Sequence, residues 1–328
     1  MGAARTMEFR QAIAAAIDDE LAADERVVFF GEDVATPGGV FAVTPDLQER
    51  HGADRVFDTP ISELAIAGAA FGSAVTGLRP IIEIMFGDFM PLAMDSLVNQ
   101  AAKYWFVSGE QASVPLVVRS AVGAGGRFGA IHSQSPVPWF MGVPGLKIVA
   151  PSNPGDAYGL LRGAIRDDDP VLFLEHKRLY SLEGEVGDEP LELGVARTVR
   201  AGDDVTVVTA MAGVAIAIEA ADRLAADGVS AEVIDLRTLR TFDLATVAAS
   251  LERTGRLVVV EEGPRTGGWS AALVAEVVDG SLDYVDDICR ITTADLPIPF
   301  SPVLEDAFLP NAETVAATIA ARLGVASG

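Results

Sequence analysis

Short, continuous runs of β-branched and other apolar residues alternate with longer helical patterns along the whole chain. No other sequence feature restricts the fold as much. In the first half the runs are RVVFF (26–30), RPIIEIMF (79–86), PLVVRSAV (115–122), LKIVAP (146–151) and PVLFLE (170–175). They are continuously apolar rather than alternating, as strands covered on both faces must be, and this predicts a parallel sheet with helices on either side. Helices are expected near 8–23, 62–76, 92–106 and 156–166. From 182 to 204 the chain reads LEGEVGDEPLELGVARTVRAGDD, rich in Gly and acid and broken by Pro190, which reads as a linker. The alternation then resumes with VTVVTA, SAEVIDLR, RLVVVEE and ICRITT and closes on a helix near 312–323. The 328 residues, at roughly 150 per domain, agree with two tandem α/β domains.

Composition removes several functions. Twenty-four Lys and Arg against 47 Asp and Glu give a net charge of −23, a surface that repels a phosphate backbone and argues against general nucleic-acid binding. The lone cysteine, Cys289, allows neither an intramolecular disulfide nor a thiolate metal cage. The longest uncharged apolar run lies between Glu63 and Arg79 and holds 15 residues, too few for a membrane span of about 20. The start matches M-G-x-x-x-[ST] through Gly2 and Thr6, a short and permissive pattern read as coincidence. With no targeting segment in view, a cytoplasmic location is expected.

The segment VFDTPISELAIAGAAFG opens a buried helix. Thr59 is the expected cap and Pro60 suits a first turn. Gly68 and Gly72 lie four apart, where another helix or a ligand can approach the backbone. Glu63 is followed at once by Leu64, Ala65 and Ile66. Its carboxyl is either a solvated first-turn acid favoured by the helix dipole, or an acid at the edge of an apolar site where ionisation is disfavoured. His132 lies in GAGGRFGAIHSQS, too rich in glycine for a helix, and His51 and His176 read as structural or surface residues.

DTPISE, GAAFGSAVTGLRPIIEIMFGDF, NQAAK, HSQS and PGLKIVAPSNPGDA, in this order and followed by VVVEEGPRTGG and DLPIPFSPVLED, resemble the beta subunit of thiamine-diphosphate-dependent 2-oxo acid dehydrogenases. These are the decarboxylating components of the pyruvate, branched-chain and acetoin complexes, related to transketolase. The resemblance implies a transketolase-like pyrimidine-binding domain over 7–182, a linker over 183–203 and a transketolase C-terminal-like domain over 204–328. It also implies that Glu63 bonds to ring nitrogen N1′ of the aminopyrimidine and favours the tautomer whose 4′ nitrogen takes the thiazolium proton. By the same resemblance Phe89 packs on the pyrimidine, Ile61 and Leu92 wall the pocket, and Glu32 is an acid linking paired active sites. His132 donates to the oxygen of the 2-oxo adduct or assists acyl transfer to lipoamide. A structural potassium ion is implied at Leu116, Ala164, Ile165, Asp167 and Asp169. There Asp169 stands where some relatives carry Asn, and RDDDP reads equally as a solvated acidic turn.

A G-D-G motif, which holds the diphosphate through Mg²⁺ in this class, is missing: Gly87-Asp88, Gly187-Asp188 and Gly202-Asp203 all lack the third Gly. The resemblance therefore implies a separate alpha subunit that brings Mg²⁺, an α2β2 heterotetramer, and a lipoyl-bearing acyltransferase core as acceptor. Pyruvate is the expected substrate because DTPISE, RPIIEIMF, NQAAK and FLEHK resemble the bacterial pyruvate and acetoin type. HSQSP points toward branched-chain members, and Ile131 replaces the polar residue that many relatives carry before the His. The readings from other classes are a non-catalytic assembly subunit and half of a split transketolase. The latter would need basic phosphate-binding residues at the mouth of the site, for which Arg127 is the one nearby candidate.

Overall fold

In a computed structural model, residues 5–325 are described; Gly2 of the acylation pattern lies outside them. The chain divides into two compact units. One comprises the chain up to Val122 together with Gly142–Leu193, and the other Gly123–Met141 together with the chain from Gly194 onward.

Strands of the first unit are β1 (Arg5–Glu8), β2 (Val27–Gly31), β3 (Val56–Asp58), β4 (Arg79–Phe86), β5 (Val117–Val122), β6 (Lys147–Val149), β7 (Val171–His176) and β8 (Glu183–Val186). Six of them run in the order β6-β7-β5-β4-β2-β3, every neighbouring pair parallel. β2, β5 and β7 are buried along their whole length, which is why their sequences are continuously apolar. β1 and β8 form a separate antiparallel pair. The helix Phe9–Ala23 buries Phe9, Ile13, Ile17 and Leu21. It is tied to the helix Pro154–Arg166 by Glu20, whose buried carboxylate accepts from Arg162 Nε at 2.7 Å and Arg166 Nε at 2.9 Å.

The second unit holds β9 (Arg197–Arg200), β10 (Val205–Thr209), β11 (Ala231–Asp235), the short β12 (Thr238–Arg240), β13 (Arg256–Pro264) and β14 (Asp287–Thr293). Its sheet runs β14-β13-β10-β11-β9, parallel except for the antiparallel edge strand β9. Val207, Val233 and Val258 pack there with Leu224 of helix Gly213–Ala226 and Ile319 of helix Ala312–Leu323. Cys289 is buried in the same cluster. Among the described residues no helix is long and apolar enough to cross a membrane.

Three expectations need adjusting. The segment 183–203 carries β8, paired with β1, and β9, paired with β11. The helix expected to be capped by Thr59 starts at Glu63 with Ser62 at its N-cap. The Thr59 N–H is instead engaged by the Gly31 carbonyl at the end of β2, which keeps Thr59 and Pro60 ahead of the first turn. The helix expected near 92–106 is an α-helix over Met90–Met94, a π-helical turn over Asp95–Ala101 and an α-helix over Ala102–Val107. Asp95 braces that wider turn by accepting from Asn99 Nδ2 at 2.8 Å and Gln100 Nε2 at 3.0 Å.

Candidate active site

In an open parallel sheet the carboxyl ends of the strands are where side chains can converge on a ligand. β2 ends at Gly31, and Glu32 follows directly. β3 ends at Asp58, whose carboxylate accepts from the Ala35 N–H at 2.7 Å, and the Thr59 N–H donates to the Gly31 carbonyl at 2.9 Å. These two bonds dock the start of the Glu63 helix beside the end of β2. β4 ends at Phe86, three residues before Phe89.

This arrangement brings Glu32 and Glu63 together. Glu63 is only 8% exposed, which rules out the solvated-acid reading, and Glu32 is buried as well. Burial first, and the negative charges of Glu63 and Asp33 second, hold the Glu32 carboxyl above the ordinary carboxylate range, opposed by a hydrogen bond from the Ser62 backbone. Glu32 Oε1 and Thr59 Oγ1 are buried with no hydrogen-bond partner, so polar capacity is left open at the end of the sheet. Phe89 sits edge-on to Phe86 with centroids 5.8 Å apart. Ile61 is 84% and Leu92 57% exposed, apolar side chains that nothing within this unit covers. Beyond Gly68 a Cβ would meet Ser96 Oγ at 3.7 Å and beyond Gly72 nothing, so that helix face is open to close approach.

A group of ionisable residues that sequence reasoning passed over lies under this site. Glu83 and Arg119 are register partners on β4 and β5. The Arg119 guanidinium donates to Glu83 at 2.9 Å and through two nitrogens to Glu175 at 2.7 and 2.9 Å, and Tyr180 Oη donates to Glu175 at 3.0 Å. Burial works against the charge on Arg119, but Glu175 and Glu83 outweigh it and keep the guanidinium protonated. Glu83 is pushed up to about 7, because burial outweighs the pull of Arg119 and Glu175 repels a second negative charge. The two directions agree if Glu175 matches the Arg119 charge while Glu83 takes the proton. The signal was present as one charge inside each of three apolar strands, PIIEIMF, LVVRSAV and VLFLEH.

The raised pKa has a thermodynamic consequence. Between about 4.5, the ordinary value, and about 7, the folded chain holds a proton on Glu83 that the unfolded chain has lost. The stabilisation is therefore complete below about 4.5 and disappears as pH rises through about 7, up to about 3 kcal/mol. Urea unfolding at pH 5 and pH 8 should show a smaller loss for Glu83→Gln than for the parent. Equal losses would remove Glu83 as the source.

His132 belongs to the second unit. It lies outside helix and strand, on a loop whose turn is closed by a 3.4 Å bond from the His132 N–H to the Gly129 carbonyl. Beside this loop, residues of the same unit line a cavity of about 750 Å³, among them Ile131, Gln134, Trp139, Pro264, Leu296 and Phe308. His51 contacts Asp18 at 2.6 Å, and buried His176 accepts from the Arg178 N–H through Nδ1, both structural roles.

The comparisons with known proteins decide the family. Residues 5–183 match the transketolase pyrimidine binding domain and residues 194–315 the transketolase C-terminal domain. The beta subunit of acetoin:2,6-dichlorophenolindophenol oxidoreductase from Cupriavidus necator is 47% identical, covering 96% of either chain. A mitochondrial pyruvate dehydrogenase E1 component beta-1 subunit from Arabidopsis thaliana is 43% identical over 95% of this chain and 88% of its own. The chain belongs to the family of 2-oxo acid dehydrogenase beta subunits. A solved structure titled as a split gene transketolase, inactive beta4 tetramer, superposes with a TM-score of 0.81 at 21% identity, covering 97% of this chain and 99% of that one, and supports the fold.

For a beta subunit of this family, the first-unit residues fit the aminopyrimidine of thiamine diphosphate. A buried acid, an orphaned polar oxygen beside it, an aromatic at the end of β4 and two uncovered apolar side chains suit a flat, partly polar heterocycle. Potassium is a different matter. The Leu116 carbonyl accepts from the Val171 N–H and that of Ala164 from the Asp167 N–H. Arg79 donates to the carbonyls of Ile165 at 2.9 Å and Asp167 at 2.7 Å. Lys147 Nζ lies 2.7 Å from the Asp167 carboxylate and 3.0 Å from that of Asp169. Arg79 and Lys147 offset two of the three carboxylates of this turn, and no step below uses a potassium ion. Among the described residues, no group of three or more His, Cys, Asp or Glu side chains forms a metal site.

Proposed function

We propose that this chain supplies the aminopyrimidine side of a shared thiamine diphosphate site and acts with an alpha-type chain that brings Mg²⁺ and the diphosphate contacts. The observation that carries the reading is a buried Glu63 beside Glu32, at the carboxyl ends of parallel strands, with Ile61 and Leu92 left uncovered. Thiamine diphosphate, when bound, supplies the carbon nucleophile and electron sink for decarboxylation. Glu63 holds the proton shared with the ring nitrogen, and its apolar flank keeps water from competing for it. The Glu32 carboxyl beside it is biased toward the protonated form by burial and by the neighbouring acids. Phe89 packs on the heterocycle, with Ile61 and Leu92 as walls. His132 donates a proton to the substrate oxygen or during transfer of the acyl group to the lipoyl arm of an acyltransferase core.

The assembly is an α2β2 heterotetramer in the cytoplasm, with pyruvate as substrate. A second substrate, acetoin, is kept because the 47% identical relative carries that name. The split-transketolase reading loses its basic candidate, because Arg127 is already paired with Glu305 and Asp306. Co-expression with a GDG-bearing partner, followed by steady-state rates on pyruvate, 3-methyl-2-oxobutanoate and acetoin, tests the assignment. The highest kcat/KM should fall on pyruvate. A higher value on acetoin would transfer the assignment to the acetoin enzymes, and activity on none of the three would favour an assembly subunit.

A further inference from the structure

The loop that carries His132 has an unusual backbone. Residues 123, 125, 127 and 129 all have positive φ, at 86°, 90°, 62° and 71°. Three are glycines, which adopt this conformation freely; Arg127 is the exception, and for a residue with a Cβ that conformation persists only where its surroundings impose it. The surroundings are visible. Arg127 Nη1 donates to Glu305 Oε2 at 2.6 Å and to the Pro302 carbonyl at 3.1 Å, while Nη2 reaches the Asp306 carboxylate at 3.0 Å. The Gly125 N–H donates to the other Glu305 oxygen at 3.0 Å, and the Ala124 N–H to Glu262 at 2.6 Å. Glu305 is 0% exposed. A carboxylate so buried needs both of its loop partners, and the loop in turn is held at two points by one rigid acid.

We propose that Arg127 is a positioning residue for His132, with the Arg127–Glu305 pair clamping the glycine-rich loop so that the imidazole is presented in one place. Four residues separate Arg127 from His132, and the Gly129–His132 turn shortens that tether further. Slack introduced at 125–127 is therefore passed on to the imidazole. Misplacement of a reacting group by an ångström or so is enough to cost a large part of its contribution. The inference rests on the proposed role of His132, and the test separates the two.

The assay uses the reconstituted complex with its lipoyl acceptor. Arg127→Ala should lower kcat about tenfold while KM for the 2-oxo acid changes less than about twofold. Arg127→Lys, which keeps one charged donor, should recover part of the loss. Arg127→Gly suits the positive φ and should melt above Arg127→Ala, although both leave Glu305 without its cation and melt below the parent; it should lose as much kcat as Arg127→Ala, and it decides the matter if the alanine variant fails to assemble. A parent-like kcat in Arg127→Gly, with His132→Ala impaired, overturns the clamp and leaves the role of His132 standing. A parent-like kcat in His132→Ala overturns both. A rise in KM with kcat unchanged also overturns the clamp, since it would mark a uniform binding effect.

Discussion

Glu63→Gln in the reconstituted complex should lower turnover by about 10²- to 10⁴-fold, the range that a positioned proton-transfer group contributes. Assembly and melting temperature should stay close to the parent. The substitution keeps the shape and an acceptor oxygen at a position 8% exposed, but removes the charge that binds the shared proton. It also removes one of the negative charges that hold the Glu32 carboxyl up, so the Glu32 shift should shrink, which infrared titration of the carboxyl band can follow. Glu63→Asp keeps the chemistry and shortens the reach, and should fall between the two. Turnover within threefold of the parent would mean that Glu63 is a buried structural acid.

The largest stability effect is expected at Arg119. Arg119→Met leaves Glu175 among apolar strands without its counter-ion, while Glu83, no longer pulled down by Arg119, keeps its proton. Removing one member of such a buried group costs about 3–5 kcal/mol. Adding Glu175→Gln should recover a good part of that loss, because it removes the orphaned charge rather than restoring the ion pair. Urea unfolding of the single and double variants measures both. A loss under about 1 kcal/mol for Arg119→Met would show that water or rearrangement compensates the carboxylate.

Much of the fold was legible because the strands of a two-sided parallel sheet have nowhere to put polar residues. RPIIEIMF was read as 79–86 and forms β4 over the same residues. β1 and β8 were not, since RTME and EGEV are polar and pair across more than 170 residues, beyond any local pattern. The π-helical turn at 95–101 was likewise invisible, because its apolar spacing imitates an ordinary helix.

At the site, the residues around Glu63 alone left it either solvated or at an apolar edge; the order of the blocks favoured the second through the resemblance, and the acid is buried. The Glu83–Arg119–Glu175 group could have been found by treating each charge inside an apolar strand as one that needs a partner in a neighbouring strand. The Arg127–Glu305 pair could not, for no short-range signal joins residues 178 apart. The potassium expectation came from resemblance alone; that Arg79 and Lys147 reach the same turn from other strands had no local signal either.

The proposed activity depends on a cofactor site that one chain leaves incomplete. Calorimetric titration of thiamine diphosphate with Mg²⁺ into this chain alone, and into the same chain mixed with a GDG-bearing alpha partner, tests that dependence most directly. Saturable binding should be found only in the mixture and should vanish when Mg²⁺ is withheld. Tight, Mg²⁺-dependent binding to the isolated chain, accompanied by decarboxylation of pyruvate, would contradict it.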